Sequence, residues 1–328
     1  MSITIRDLAE ATGFSVGTIS RALKNQTGLT ETTRAMIFHA AQEMGYDLSK
    51  LKHGRLRRIA FLLHRQHNNL SSSPFYSIVL HGVEAACRRA GIALSFVAVG
   101  PSEPVMEQIR VHQPDAIVCA GFFETELLEA IRTSGKPMVL IDMRLPGFTS
   151  INPNHRLGGY LATQHLIKSG RKRIGMLSGP HAHYSIQERV HGFRKALFEA
   201  KMLANPDYEI AIPHQAEEEK MVRQAVTDLL AMSEPPDALF CYNDNTALTA
   251  MNTCLDLGLK VPHDIAIVGF DDIRAAAKAQ PALSSIAVDK EGLGAEGVAM
   301  LLRHAQPENL ETTLAVQLIV RGSSVLSV

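Results

Sequence analysis

The spacing of apolar residues changes near residue 59 of this chain. Before that point, apolar residues recur three and four positions apart in three short segments, which is the spacing of amphipathic helices. Each segment follows a residue type that caps helix N-termini: Thr4, Ser15 and Thr30. Gly13 and Gly45 are placed to end the first and third segments. We therefore predict three helices and no strand over residues 1–45.

From Ile59 onwards, short apolar runs alternate with amphipathic stretches. IAFLL, AIVCA and MVLID are typical of buried strands, and helical patterns such as SPFYSIVLHGVEAACRRAG separate them. This alternation predicts a doubly wound parallel sheet. The same pattern then repeats from HRLGGYLATQHLIKSG to IAIVGF, which favours a second lobe over one large sheet. A last helix and TTLAVQLIVRG are expected to return to the first lobe.

The expected fold is an α/β protein with a small helical head and a two-lobed core. We place the head at residues 1–46, a linker at 47–58 and the core at 59–328. Within the core, lobe 1 is expected at about 59–155 and 288–318, and lobe 2 at about 156–287 and 319–328.

Composition is typical of a globular protein, with 46% hydrophobic and 20% charged residues. No stretch approaches the roughly 18 apolar residues of a membrane span, and the charged N-terminus is unlike a signal peptide. The scattered cysteines lack a CxxC pair and predict buried thiols in a reducing cytoplasm: Cys87, Cys119, Cys241 and Cys254. Residues 1–58 carry nine basic against five acidic side chains, so a basic head precedes an acidic core, which favours contact with a polyanion.

The first two helices have the residues that a helix-turn-helix needs. Ala9 is a small residue where the helices would cross, Gly13 tolerates the turn, and Ile19 is the apolar residue on the inner face of the second helix. That helix would lie in the major groove of DNA. Its outward-facing or leading residues are Val16, Gly17, Thr18, Ser20 and Arg21. A three-helix unit that binds nothing is the alternative.

Ligands of two-lobed α/β proteins bind outside the carboxyl ends of the strands. The residues that follow or lie near strand ends there combine carboxylates, an amide, an arginine and aromatic rings: Phe75, Tyr76, Asp142, Arg189, Asn243 and Asp271. This combination suits a polyhydroxylated sugar. Helix capping is an alternative role for Asp142, Asp272 and the Asn243–Asp244 pair, and for Asp244 it is the favoured one.

Residues 3–46 closely resemble the DNA-binding head of the lactose-repressor (LacI/GalR) family, and patches through the core resemble it too, among them ERVHGF, CYNDNTALTAM and DIAIVGFDD. The resemblance implies a repressor that binds a pseudo-palindromic operator as a homodimer under control of a small, sugar-like effector. It implies base contacts from Val16, Gly17 and Arg21, with Thr18 and Ser20 nearer the DNA backbone. Effector contacts are implied for Phe75, Asp142, Arg189, Asn243 and Asp271.

The linker departs from that family, because DLSKLKHGRLRR lacks the usual hinge-helix pattern and Gly54 would break a helix. Leu51 or Leu56 is a candidate wedge for the minor groove. The alternative is a basic tether on phosphates. With these leucines, the predicted DNA-contacting set includes the three cap residues and one lysine: Thr4, Ser15, Thr30 and Lys24.

Two other functions fit parts of the sequence. A solute-binding protein would share the core without the head, and a doubly wound enzyme would need a catalytic constellation that the sequence lacks, so we expect no enzyme. Gly292, Gly294 and Gly297 match a dinucleotide fingerprint, but too few residues follow them to build its fold, and we expect a glycine-rich helix start capped by Asp289. We predict no metal and no cofactor, and we expect His64 or His183 to line the cleft.

Overall fold

The structure is a computed structural model that describes residues 3–23, 28–46, 56–65, 74–100, 104–213, 217–303 and 310–325. It divides into two compact units, Met1–Leu56 and Arg57–Val328.

The first unit is the predicted three-helix head, and its helices begin and end where the capping residues indicate. They are α1 (Ile5–Thr12), α2 (Val16–Leu23) and α3 (Glu31–Glu43). Thr4 and Asp7 form a complete capping box at α1, because each side chain binds the other residue's backbone N–H. Gly13 ends α1 with φ +72°, a left-handed conformation that favours glycine.

The interior of the head is a small apolar cluster to which all three helices contribute. Leu8, Ile19, Leu23 and Ile37 are fully buried, and half-buried Phe14 packs against them. Ile19 is the predicted inner-face residue of α2, so the polar residues on the other side of α2 point to solvent. The helix-turn-helix prediction is therefore confirmed in its local geometry.

The second unit contains two six-stranded sheets, confirming the two-lobed α/β fold. The first sheet has the strand order β2-β1-β3-β4-β5-β11 and is parallel throughout. Its elements are β1 (Arg58–His64), α4 (Pro74–Ala90), β2 (Ala93–Val99), α5 (Val105–His112), β3 (Ala116–Ala120), α6 (Thr125–Arg132), β4 (Met138–Ile141), β5 (Ser150–Pro153), α12 (Lys290–Arg303) and β11 (Glu311–Leu314).

The second sheet repeats the topology as β7-β6-β8-β9-β10-β12. It is parallel except for β12, which pairs antiparallel with β10 at the edge. Its elements are α7 (His155–Lys168), β6 (Ile174–Ser178), α8 (Tyr184–Glu199), a 3-10 turn (Pro206–Tyr208), β7 (Glu209–Ala211), α9 (Glu218–Leu230), β8 (Ala238–Cys241), α10 (Asp244–Asp256), β9 (Ala266–Asp271), α11 (Arg274–Lys278), β10 (Ser284–Val288) and β12 (Val316–Ile319).

The chain crosses between the two sheets three times, and the last crossing corrects a prediction. TTLAVQLIVRG does not return to lobe 1 as one piece: β11 joins the first sheet and β12 joins the second, with only Ala315 between them. Val316–Ile319 therefore belongs to lobe 2, so the change of lobe expected at about residue 318 occurs at Ala315 instead. Each half finds a free sheet edge in a different lobe, which the continuous apolar pattern does not reveal.

The glycine-rich start of α12 packs against α4. Asp289 caps α12 as predicted, because its Oδ1 accepts a hydrogen bond from Gly292 N at 2.8 Å. A methyl group on Gly294 would lie 2.1 Å from the Val79 carbonyl oxygen on α4. Lobe 2 uses the same device, since a methyl group on Gly192 would lie 2.1 Å from the Arg156 carbonyl oxygen on α7. Both lobes thus bring two helices together at glycine positions.

All four cysteines are free and buried, as predicted. Over the described residues, no helix has the length and apolar character that a membrane crossing requires.

Candidate functional site

The exposed surface of α2 carries the predicted DNA-contacting side chains. Val16 is 48% exposed, and Gly17 and Arg21 are also exposed. Ser15 Oγ accepts a hydrogen bond from Thr18 N at 3.1 Å, so Ser15 caps the helix and holds its first turn. Arg21 Nε donates to the Gly17 carbonyl oxygen at 3.4 Å, so its guanidinium group lies next to Gly17 on the exposed side of α2.

The remaining predicted DNA-contacting residues differ in exposure, and two of them lie outside the described residues. Thr4 and Thr30 are exposed and act as N-caps of α1 and α3. Ser20 is half-exposed on α2, and Leu56 is half-buried. Lys24 and Leu51 lie outside the described residues, as does most of the linker, so the minor-groove wedge stays a prediction.

All six predicted effector residues line one cavity between the two lobes. Phe75 and Tyr76 come from the first turn of α4, Asp142 follows β4, Arg189 lies on α8, Asn243 precedes α10 and Asp271 ends β9. The cavity has a volume of about 90 Å³ and adjoins a second of about 160 Å³, and both are lined by Tyr76, Asp142, His183 and Ser185. The topology explains this convergence, because carboxyl ends of parallel strands share one edge of each sheet.

Asp142 is a buried carboxylate held in its charged form. Its backbone has φ +61°. Tyr76 donates its hydroxyl to Oδ2 at 2.8 Å, and His155 Nε2 lies 2.9 Å from Oδ1. Burial raises the pKa of Asp142, but His155, Arg189 and Tyr76 together outweigh burial and leave this pKa below its usual value. Asp142 is therefore an acceptor for ligand hydrogen bonds.

Arg189 is a buried cation with fixed neighbours on three sides. Its guanidinium lies 3.7 Å from the centre of the Phe270 ring, donates to the Tyr242 carbonyl oxygen and donates from Nε to His155 Nδ1 at 3.3 Å. Its Nη2 lies 3.7 Å from Asp271 Oδ1, which is beyond hydrogen-bond distance. The two charged groups thus face each other with a gap that a ligand group can fill.

Asp271 differs from Asp142 in that its pKa is raised, so its charged form is less favoured. Burial raises its pKa to about 6, although Arg189 and Lys290 act in the opposite direction. Its Oδ1 is buried without a hydrogen-bond partner among the described residues. Its backbone has φ +104°, and the Lys290 ammonium donates to its carbonyl oxygen. Asp271 therefore presents an unsatisfied acceptor to the cavity.

The Asn243–Asp244 pair corrects one expectation about capping. Asn243, not Asp244, is the N-cap of α10, and its Oδ1 accepts a hydrogen bond from Thr246 N at 2.8 Å. Asp244 is buried and braces the turn after β9, since it accepts bonds from Ile273 N at 2.8 Å and Ser285 Oγ at 2.6 Å. Burial raises its pKa to about 8.

Sequence patterns did not predict two buried residues that contact the site, His155 and Lys290. His155 and Lys290 are buried at two crossings between the lobes and contact site residues, but their sequence surroundings show only helix starts.

His183, expected to line the cleft, stacks on Phe122 of lobe 1 with ring centroids 4.6 Å apart. His64 is buried beside Glu124 at 3.4 Å and does not line this cavity. The described residues contain no cluster suited to a metal ion.

Two family models match the chain. Residues 4–48 match bacterial regulatory proteins of the lacI family, and residues 163–324 match the periplasmic binding protein-like domain. The HTH-type transcriptional repressor PurR of Aliivibrio salmonicida (strain LFI1238) is 31% identical over 320 residues, which cover 94% of each chain. PurR of Aliivibrio fischeri (strain MJ11) is 30% identical and covers 99% of this chain and 98% of its own.

Solved structures of similar fold cover almost the whole molecule. The transcriptional regulator CelR in complex with cellobiose has a TM-score of 0.74 at 26% identity, covering 98% of this chain and 99% of its own. The Lac repressor dimer bound to operator and the anti-inducer ONPF has a TM-score of 0.72 at 22% identity, covering 99% and 100%. The likeness therefore extends over head and core together.

Proposed function

This chain belongs to the lacI family of bacterial regulatory proteins and is a DNA-binding transcriptional repressor, and on that premise we propose that a small sugar-like effector in the interlobe cavity controls its affinity for operator DNA. The proposal includes the residues predicted to form both sites, a head, linker and core at residues 1–46, 47–58 and 59–328, and a homodimer as the binding form. The curated relatives are repressors and not enzymes, which fits a cavity that holds ligands without transforming them.

The DNA-binding part of the proposal depends on the exposed side of α2. A dimer would place two copies of α2 in successive major grooves of a pseudo-palindromic site. Val16 can contact a thymine methyl group, and Arg21 can donate to the O6 and N7 atoms of guanine. Gly17 offers no side chain, so the bases opposite it would be recognised through close backbone approach.

The effector part depends on one observation: the buried Asp271 Oδ1 has no hydrogen-bond partner among the described residues and faces Arg189 Nη2 across 3.7 Å. An unsatisfied buried acceptor costs free energy, which a ligand can recover. A hydroxyl group suits this gap, because it donates to a carboxylate and accepts from a guanidinium at once. Asp142 on the opposite lobe accepts a second hydroxyl, and the Phe75 and Tyr76 rings cover apolar C–H faces.

The experiment is a thermal-shift series on the full chain with D-glucose, cellobiose, D-ribose and purine bases. We expect stabilisation by at least one neutral sugar, lost in Arg189→Ala and reduced in Asp271→Asn. The matched control is Asp256→Asn, which removes an exposed carboxylate on α10. Stabilisation by purine bases alone would contradict the sugar-like effector and assign a planar base to the cavity.

DNA recognition is tested by fluorescence anisotropy, which compares the affinity for a fragment of the promoter of the encoding gene with the affinity for bulk DNA. Arg21→Ala is expected to weaken promoter binding about tenfold to a hundredfold, because a bidentate arginine–guanine contact contributes about 1–3 kcal/mol. Arg110→Ala, an exposed arginine on α5, removes the same charge and should leave binding unchanged. Equal losses on promoter and bulk DNA would instead place Arg21 on a phosphate.

A further inference from the structure

His155 lies at the first crossing between the lobes and contacts an effector residue from each of them. It is the first residue of α7, directly after β5 and the N-cap Asn154. Its side chain has no exposed surface, and its ring packs near Phe270 and Tyr184. Its side chain contacts both Arg189 and Asp142.

The hydrogen bonds around His155 have a single consistent direction. A guanidinium can only donate, so Arg189 Nε donates to His155 Nδ1, 3.3 Å away, and Nδ1 carries no proton. The ring proton of a neutral imidazole then lies on Nε2, which is 2.9 Å from Asp142 Oδ1. This contact is close, but neither atom has an aligned hydrogen-bond partner among the described residues. Tyr76 donates to the other oxygen of the same carboxylate. The ring thus contacts Arg189 through a hydrogen bond at Nδ1 and Asp142 through a close polar contact at Nε2.

The groups around His155 favour a neutral ring, which is the form that can accept a hydrogen bond from Arg189. Burial lowers the pKa of His155, and nearby Arg189 lowers it further, whereas Asp142 and Glu188 act in the opposite direction without reversing the outcome. The ring also lies at the N-terminus of α7, where the helix dipole disfavours a positive charge. An imidazolium would moreover place an N–H against the donating Nε of Arg189.

We propose that His155, as a neutral ring with its proton on Nε2, is a positioning residue that joins Asp142 of lobe 1 to Arg189 of lobe 2 and fixes Asp142 as an acceptor and Arg189 as a donor toward the effector. This inference rests on the proposed function of the cavity and specifies its ligand further. The bound molecule must present a hydrogen-bond donor to Asp142 and an acceptor to Arg189. Because the bridge spans a crossing, it also fixes the separation of the two lobes at the site.

The first test needs no effector. Long-range ¹H–¹⁵N spectra of histidine-labelled full-length protein report the tautomer of each ring, and the signals lost in His155→Gln identify the ring in question among the 14 histidines. We expect a neutral ring protonated on Nε2 that does not change between pH 5.5 and pH 8. A proton on Nδ1, or a titrating ring, would overturn the proposal whether or not any sugar binds.

The second test separates positioning from simple packing, with cellobiose and D-ribose as probes in calorimetric titrations. A glutamine amide offers one acceptor and one donor, as the neutral ring does, whereas phenylalanine offers neither. We expect His155→Phe to weaken binding of whichever probe binds the wild type about tenfold or more. His155→Gln should stay within about threefold of the wild type.

The matched control is His165→Phe, a half-buried histidine of the same helix that bonds to Ser324 Oγ outside the cavity, and it should not change affinity. Equal losses in His155→Gln and His155→Phe would show that ring shape, and not hydrogen-bond direction, matters, which contradicts the proposal. If neither probe binds the wild type, the sugar-like effector fails while the tautomer measurement still decides the role of His155.

Discussion

The two lobes of the core have the same strand order but hold their ligand-side turns differently. Asp142 directly follows β4 and Asp271 ends β9, the fourth strands of the two sheets in chain order. Both residues have positive φ, at +61° and +104°. Each turn is fastened by a polar side chain on the neighbouring strand, Asn152 on β5 and Ser285 on β10. Duplicated topology thus places a carboxylate at the same point of each lobe.

The lobes differ in how strongly each turn is fastened. In lobe 1, Asn152 Nδ2 donates to the Met143 carbonyl oxygen at 3.2 Å. In lobe 2, Ser285 Oγ accepts from Asp272 N at 3.0 Å and donates to Asp244, which also holds Ile273 N. A neutral amide therefore supports one turn, and a serine backed by the buried carboxyl group of Asp244 supports the other.

This difference extends to the charge of the two ligand carboxylates. His155, Arg189 and Tyr76 keep the pKa of Asp142 low despite burial, whereas burial dominates at Asp271 and raises its pKa to about 6. Equivalent positions in a repeated fold thus acquire different proton affinities from their neighbours alone. Four predictions test this difference between the lobes.

The largest effect is expected from removal of the lobe 2 brace. Asp244→Ala leaves Ile273 N and Ser285 Oγ without their buried acceptor, and we expect the free energy of unfolding at pH 6 to fall by about 2–4 kcal/mol. Urea denaturation followed by circular dichroism measures this change. Asp256→Ala, at an exposed carboxylate of the same helix, should change stability by less than about 0.5 kcal/mol.

The sign of the pH dependence gives a second check on the same residue. The pKa of Asp244 is about 8 in the folded protein against 3.8 for a free side chain, so the native state keeps a proton that the unfolded chain releases. Its contribution to stability is complete below pH 3.8 and is lost as the pH rises through about 8. Asp244→Asn should flatten this part of the stability profile, and an unchanged slope would contradict the assignment.

An intermediate effect is expected on effector binding as the pH falls. If the sugar-like effector needs Asp271 charged, a pKa of about 6 predicts roughly tenfold weaker binding at pH 5 than at pH 7. Calorimetric titration of the stabilising sugar measures this profile. In Asp271→Asn the remaining Asp142 has a lowered pKa, so weaker but nearly pH-independent binding is expected. A steep profile in that variant would assign the titration to another group.

The smallest effect is expected in lobe 1. Asn152→Ala removes one neutral hydrogen bond to Met143 O, and we expect a loss of about 1 kcal/mol in unfolding free energy. The same urea measurement compares it directly with Asp244→Ala. A loss as large as that of Asp244→Ala would show that the two turns are equally dependent on their braces.

Sequence patterns predicted the features that depend on near neighbours. The N-cap at Thr4, the left-handed Gly13 and the strand-end carboxylates follow from local rules of helix capping and strand order. The six cavity residues could be selected because parallel strands must bring their carboxyl ends together, wherever the intervening helices lie.

The features that escaped prediction depend on tertiary contacts. Nothing beside His155 distinguishes it from a residue at any helix start, and its role arises only when α8 brings Arg189 to it. Asp244 was expected to cap α10, but the register of β9 and β10 places it beneath the turn while Asn243 takes the cap. The position at which TTLAVQLIVRG divides between the lobes likewise depends on two sheet edges that exist only in the folded core.

The single residue Ala315 between β11 and β12 limits the motions available to the core. One residue spans at most about 3.6 Å, and the strands on either side are hydrogen-bonded into different lobes. The ends of these two edge strands therefore stay adjacent in any arrangement of the lobes that keeps both sheets intact. A change in the interlobe cavity must be accommodated elsewhere, with this edge of the core held together.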